Sequence, residues 1–87
     1  MASHKMVSVG TTPVLLSPPG VHGEIDMAIQ SQSGTGSVFV GAQNVSPSNF
    51  GSRIFPYSVY SVTLGGSEEV WAVSQAAVVV SVLITTK

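Results

Sequence analysis

The sequence predicts an all-β protein: a single-domain antiparallel β-sandwich or small β-barrel of seven to eight short strands. Three observations lead there. Valine occurs 15 times, threonine six and isoleucine four, against four leucines; β-branched side chains lose rotamer freedom in a helix and pack well on a pleated surface. Nine glycines and five prolines are spread along the chain and interrupt every helical window. Between these breakers the apolar residues alternate, and none of the segments sustains an i, i+3, i+4, i+7 pattern.

Taken in order, the first strand is expected over Met6 to Val9, behind a flexible N-terminal segment at residues 1–5. A short piece, Val14 to Leu16, follows Pro13, which suits an edge or a kink. Ser17-Pro18-Pro19-Gly20 reads as a loop that Gly23 closes. Glu24 to Gln30 has the clearest period of two, with Ile25, Met27 and Ile29 on one face and Glu24, Asp26, Ala28 and Gln30 on the other. Ser31 to Gly36 reads as a turn with glycine free to take positive φ. Ser37 to Val40 is then expected as the hairpin partner of the preceding strand, with Val38 and Val40 facing one way. Gly41 to Ser52 is a polar loop, and Arg53 to Phe55 a short strand ended by Pro56. Tyr57 to Leu64 alternates again, with Tyr60, Val62 and Leu64 facing the core. A turn at Gly65-Gly66-Ser67 leads to Glu69 to Val73, with Trp71 and Val73 on one face, and after Ser74 and Gln75 the last strand, Ala77 to Thr85, is the most apolar. Strands at about ten-residue spacing, with turn signals between and no linker, make one domain over 1–87.

Charge separates this chain from most small domains. Only 8% of residues are charged against 44% apolar: Lys5, Arg53 and Lys87 oppose Glu24, Asp26, Glu68 and Glu69, for a formal net charge of −1. Three cations are too few for direct nucleic-acid binding, which needs several on one surface. An apolar, weakly charged chain is the reverse of the disordered signature. The longest apolar run, Ala76 to Ile84, is broken by Ser81 and is half the about 20 residues a membrane helix requires. Met1 to Met6 lead into no secretory apolar core, so a cytoplasmic site of synthesis and assembly is expected. With no cysteine there is no disulfide, thiolate metal site or thiol nucleophile. A core this small needs help, and subunit association is the remaining common device.

The residues carry little site chemistry. His22, Glu24 and Asp26 lie two apart and would share a strand face, but a metal wants three or four such ligands with a second shell, and a solvated polar face beginning at a loop is the plainer reading. His4 and His22 lie in the N-terminal segment and a loop, and none of the fourteen serines sits in a nucleophile elbow. Adjacent carboxylates Glu68 and Glu69 point to opposite faces of a strand and solubilise a turn. Gly34-Thr35-Gly36 lacks the third glycine and following helix of a dinucleotide site, and Asn44-Val45-Ser46, with Pro47 next, matches a glycosylation acceptor by chance. No catalytic residue, metal or cofactor is therefore expected. Outward strand positions carry Ser, Thr, Gln and Ala, and stretches 27–52, 54–67 and 70–86 hold no charge. Soluble monomers guard edge strands with charges, Lys above all. Either a Ser/Thr-rich sandwich tolerates this, or the surface is covered by sister subunits or a larger assembly.

Val7-Ser8-Val9-Gly10-Thr11-Thr12, Val14-Leu15-Leu16-Ser17-Pro18 and the strand from Ile25 to Gln30 form a pattern. It continues through Val38-Phe39-Val40-Gly41, the loop Ala42 to Gly51, Arg53-Ile54-Phe55-Pro56, Tyr60 to Leu64, Gly66-Ser67-Glu68-Glu69, Val70-Trp71-Ala72-Val73 and Val78 to Thr85. Together they resemble small β-rich proteins encoded among the virion genes of tailed bacteriophages. Phe39 stands where tyrosine is usual, and Pro18-Pro19 and His22 depart from the pattern, which bears on loop contacts more than on the fold. The resemblance implies a non-enzymatic bacteriophage structural protein: a homotrimeric capsid decoration (cement) protein, bound to the major capsid protein outside the capsid at capsomer junctions. It offers no catalytic motif to transfer. The alternatives are a carbohydrate or host-surface binding module on the virion, served by an exposed Trp71 or Tyr57, and a tail or neck structural protein; a small hydrolase ranks last. Trp71 and Tyr60 fit core positions, whereas Phe50 and Phe55 flank the long loop. Phe50, Arg53 and Phe55, together with Met6 and Val7 of the N-terminal stretch, are the expected subunit or capsid contacts.

Overall fold

A computed structural model describes residues 2–18, 22–32, 36–66 and 68–86. Eight strands form: β1 (Ala2–Val9), β2 (Val14–Leu15), β3 (His22–Ser31), β4 (Val38–Gly41), β5 (Ser52–Ile54), β6 (Val59–Gly66), β7 (Trp71–Ser74) and β8 (Val78–Thr86). They build two four-stranded antiparallel sheets, a long one in the order β1-β8-β3-β6 and a short one in the order β2-β7-β4-β5. The fold is thus a β-sandwich. Its pairing is nested: β1 with β8, β2 with β7, β3 with β6, β4 with β5. A chain doubled into one long hairpin and then rolled up gives this order, with the roll bringing β3 beside β8 and β4 beside β7. That is the jelly-roll arrangement.

The period-2 residues meet between the sheets. Ile25, Met27 and Ile29 from β3, Val78, Val80 and Val82 from β8, and Val38, Val40, Ile54 and Ala72 from the short sheet form one buried cluster. Each large aliphatic side chain so removed from water contributes roughly 1.5–3 kcal/mol. Leu16 and Val70 seal one end, where Leu16 N–H donates to Val70 O (2.8 Å) and Val70 N–H donates to buried Ser17 Oγ (3.0 Å). Buried Ser74 plays the same part at a sheet crossing: its N–H donates to Gly10 O (2.8 Å), and its hydroxyl faces the Val9 and Ala76 carbonyls. Ser17→Ala is expected to orphan the Val70 amide and cost about 1–3 kcal/mol, seen in urea as a lower midpoint with unchanged slope.

Several expectations need correction. Val38 to Val40 do not pair with β3; the two strands lie in different sheets. Length decides this: β3 has ten residues and finds partners of eight and nine in β6 and β8, whereas β4 has four and finds three and four in β5 and β7. A β3–β4 hairpin would leave more than half of the β3 ladder unpaired. The predicted flexible segment is paired as well, since Ala2 to Lys5 match Thr85 to Val82 in register; Met1 lies outside the described residues. Ser3 and Lys5 fall on the side of Val7 and Val9 by alternation yet are exposed, because the long strands outreach the short sheet. Gly23 lies within β3, where the pairing with β6 is irregular between His22 and Ile25. Tyr57 lies in a turn, not a strand: Ser58 N–H donates to Phe55 O (3.0 Å), and β6 begins at Val59. Of the expected loops and turns, Pro19, Gly20, Ser33, Gly34, Thr35 and Ser67 lie outside the described residues.

Candidate functional site

The two outer faces of the sandwich are finished differently. On the short sheet, Leu15, Trp71, Val73, Phe39 and Arg53 point outward in register. Loop 42–51 folds back over this face and plants Val45 on it, so that Phe39, Val45 and Val73 form a second buried cluster with Trp71 packed against them. Closure depends on Gly41 and Gly51: Gly51 N–H donates to Val40 O (2.8 Å), and a Cβ on Gly41 would sit 3.2 Å from Gly51 N. Trp71 Nε1–H donates to Glu69 Oε1 (3.2 Å), and Glu68 Oε1 accepts from Gly65 N–H (2.7 Å). The acidic pair therefore fastens a turn and an indole. Of the two rings that a glycan platform could use, Trp71 is half-buried and Tyr57 exposed.

Phe50, Arg53 and Phe55 converge around Phe39. The Phe50 and Phe39 ring centroids are 4.8 Å apart and tilted by 46°. The Arg53 guanidinium lies 5.8 Å from the Phe39 centroid and 4.9 Å from that of Phe55, while its Nε–H donates to Ser37 Oγ (3.0 Å). The expected contact residues on this side thus form one surface, with Phe55 55% exposed. Sequence reasoning gave Tyr57 a strand position rather than a turn next to this surface, and did not single out Val59, which points outward from the long sheet at the start of β6; both are more than half exposed. Tyr57 takes φ 60°, a conformation that costs an L residue about 1–2 kcal/mol. Glycine there carries an unfolded-state penalty of about 0.4–1 kcal/mol. Tyr57→Gly is accordingly expected to leave the melting temperature unchanged or slightly raised, the mark of a side chain that the fold itself does not require.

Compared with protein-family models, with curated proteins and with solved structures, the chain matches none.

On the long sheet the outward residues run in rows across β1, β8, β3 and β6: Ala2–Thr85–Asp26–Thr63, His4–Leu83–Ala28–Ser61 and Met6–Ser81–Gln30–Val59. Asp26 is the only carboxylate in these rows, and Thr63 Oγ1 donates to it (2.6 Å). Small Ala28 leaves a shallow depression of ≈ 360 Å³ between Leu83, Ser61, Thr63 and Thr85. Amides and hydroxyls replace ions: Gln32 Nε2 donates to Ser81 Oγ (3.0 Å), and Gln30 Nε2 to Tyr57 O (3.2 Å). Of the two expected N-terminal contacts, Met6 is exposed, whereas Val7 points inward by alternation and packs on the core, so its side chain is not free for a partner. Exposed Val79 and Leu83 were legible in the run Ala76 to Ile84, because a strand apolar at successive positions has an apolar outer face. Among the described residues no three His, Asp or Glu side chains gather as a metal site. Glu24 and Asp26 are carried on β3, and the His22 side chain lies outside what the structure describes.

Proposed function

We propose that this chain is a non-enzymatic structural protein of a tailed-bacteriophage virion, a homotrimeric decoration module that binds the major capsid protein outside the capsid at capsomer junctions. The observation that supports it is the distribution of exposed apolar groups on a nearly ion-free sandwich. Phe50, Phe55, Tyr57 and Val59 lie along the β5–β6 side, and Met6, Val79 and Leu83 on the β1–β8 side of the long sheet. Where such groups join into a contiguous patch they commonly mark an interaction surface. The jelly roll, which viral capsid domains share with lectins and cupins, is consistent with this by analogy of fold alone. The sequence resemblance points the same way.

Mechanically, a capsid pressed from within parts where capsomers meet. A bound trimer spans such a junction through three copies of one weak contact, and effective concentration makes the three act together. Mass spectrometry of purified virions tests the reading. The expected outcome is a copy number matching the capsomer junctions, with cryo-EM density on the outer shell. Absence from virions, or a few copies in each, would overturn it.

A further inference from the structure

The long sheet ends in two strands with one free side each. Among the described residues β1 pairs only with β8 and β6 only with β3. Both are eight residues long. Neither contains proline, β6 contains no charge, and β1 contains only Lys5. An edge strand of this kind presents unpaired N–H and C=O groups to any strand of matching length. The edges of the short sheet, with two and three residues in β2 and β5, offer no comparable ladder.

From these edges we infer that copies of the chain join head to tail, β6 of one copy pairing with β1 of the next so that the long sheet runs on across the joint. Three observations select this pairing. Strand direction alternates through β1-β8-β3-β6, so β1 and β6 run in opposite senses and a second copy in the same orientation meets the first antiparallel. The exposed apolar residues match in height: Met6 and Val59, 60% and 58% exposed, occupy the two ends of a single row, and an unslipped joint sets them side by side. In the same register the adjacent, inward-facing row sets Lys5 of one copy beside Tyr60 of the other, a pairing of a kind that supports a cation–π contact. Joints between unlike edges generate rings when the rotation closes. A ring is the form the decoration reading uses, but the joint itself needs no capsid, so its test in solution can fail separately.

The test uses Val59→Lys and Met6→Lys, both at exposed positions, with circular dichroism expected to report an unchanged fold. By analytical ultracentrifugation the unaltered chain is expected to associate beyond a dimer as concentration rises. A lysine in the joint should weaken association by roughly a hundredfold, as a charge buried against an apolar neighbour and the open ladder is costly. Each variant alone should then sediment as a monomer, while an equimolar mixture gives a 1:1 dimer, because only one of its joints is unaltered. Val59→Glu and Met6→Glu should repeat the result with the opposite charge. A variant that still dimerises alone would show a joint between like edges and overturn the inference. So would association unchanged in every variant, or an unaltered chain that remains a monomer at the highest concentration reached.

Discussion

Phe39→Ala is expected to lower the stability of the chain by about 3–5 kcal/mol, the usual cost of deleting a buried phenylalanine. Phe39 is only 6% exposed, although it lies on the outer face of its sheet. Its ring is the floor on which Val45 and Phe50 rest and over which the Arg53 guanidinium stacks. Removing it should also release loop 42–51, so protease nicking within that loop is expected before global unfolding. Phe55→Ala is the informative contrast. That ring is exposed and touches the same guanidinium, and an exposed cation–π contact contributes about 0.5–1 kcal/mol. Guanidinium denaturation of the two variants should differ by several-fold in lost free energy. Equal losses would mean that the loop is not seated on Phe39.

Ile29→Ala should be as damaging, at about 2–5 kcal/mol. Ile29 is 0% exposed and lies at the centre of the long sheet, opposite Tyr60 on β6 and Val82 on β8. A domain of 87 residues is stable by about 4–13 kcal/mol in all. The alanine variant is therefore expected to lose a large share of that stability, while Ile29→Val loses only about 0.5–1.5 kcal/mol. Chemical denaturation checks both. A loss under 1 kcal/mol for the alanine variant would deny Ile29 its central place in the core.

That Phe50 and Phe55 stay exposed beside Arg53 was legible because large apolar side chains beside a polar loop have no place in a local core. Phe39 and Trp71 were harder to place. Alternation puts Phe39 opposite Val38 and Val40, which reads as outward, and it is outward; what buries it is Val45, supplied from a loop whose fold depends on Gly41 meeting Gly51. Nothing local in 42–51 announces that return. Val7 shows the converse, since strand alternation sends it inward while its neighbour Met6 is left to solvent.

By itself the sequence determined which segments extend and which side of each is apolar, because side-chain alternation is a property of single strands and needs no partner. The segments containing Ile25, Met27 and Ile29, Val38 and Val40, and Tyr60 to Leu64 all follow from it. Only the tertiary structure decided which strands are neighbours: β3 with β6 and β8 rather than β4, and Ala2 to Lys5 with the end of β8. Pairing is set by ladder length and by closure of the whole roll, quantities shared between residues far apart in the chain. The free edges at β1 and β6 exist only at that level, because an edge is what remains after every other strand has found its neighbours.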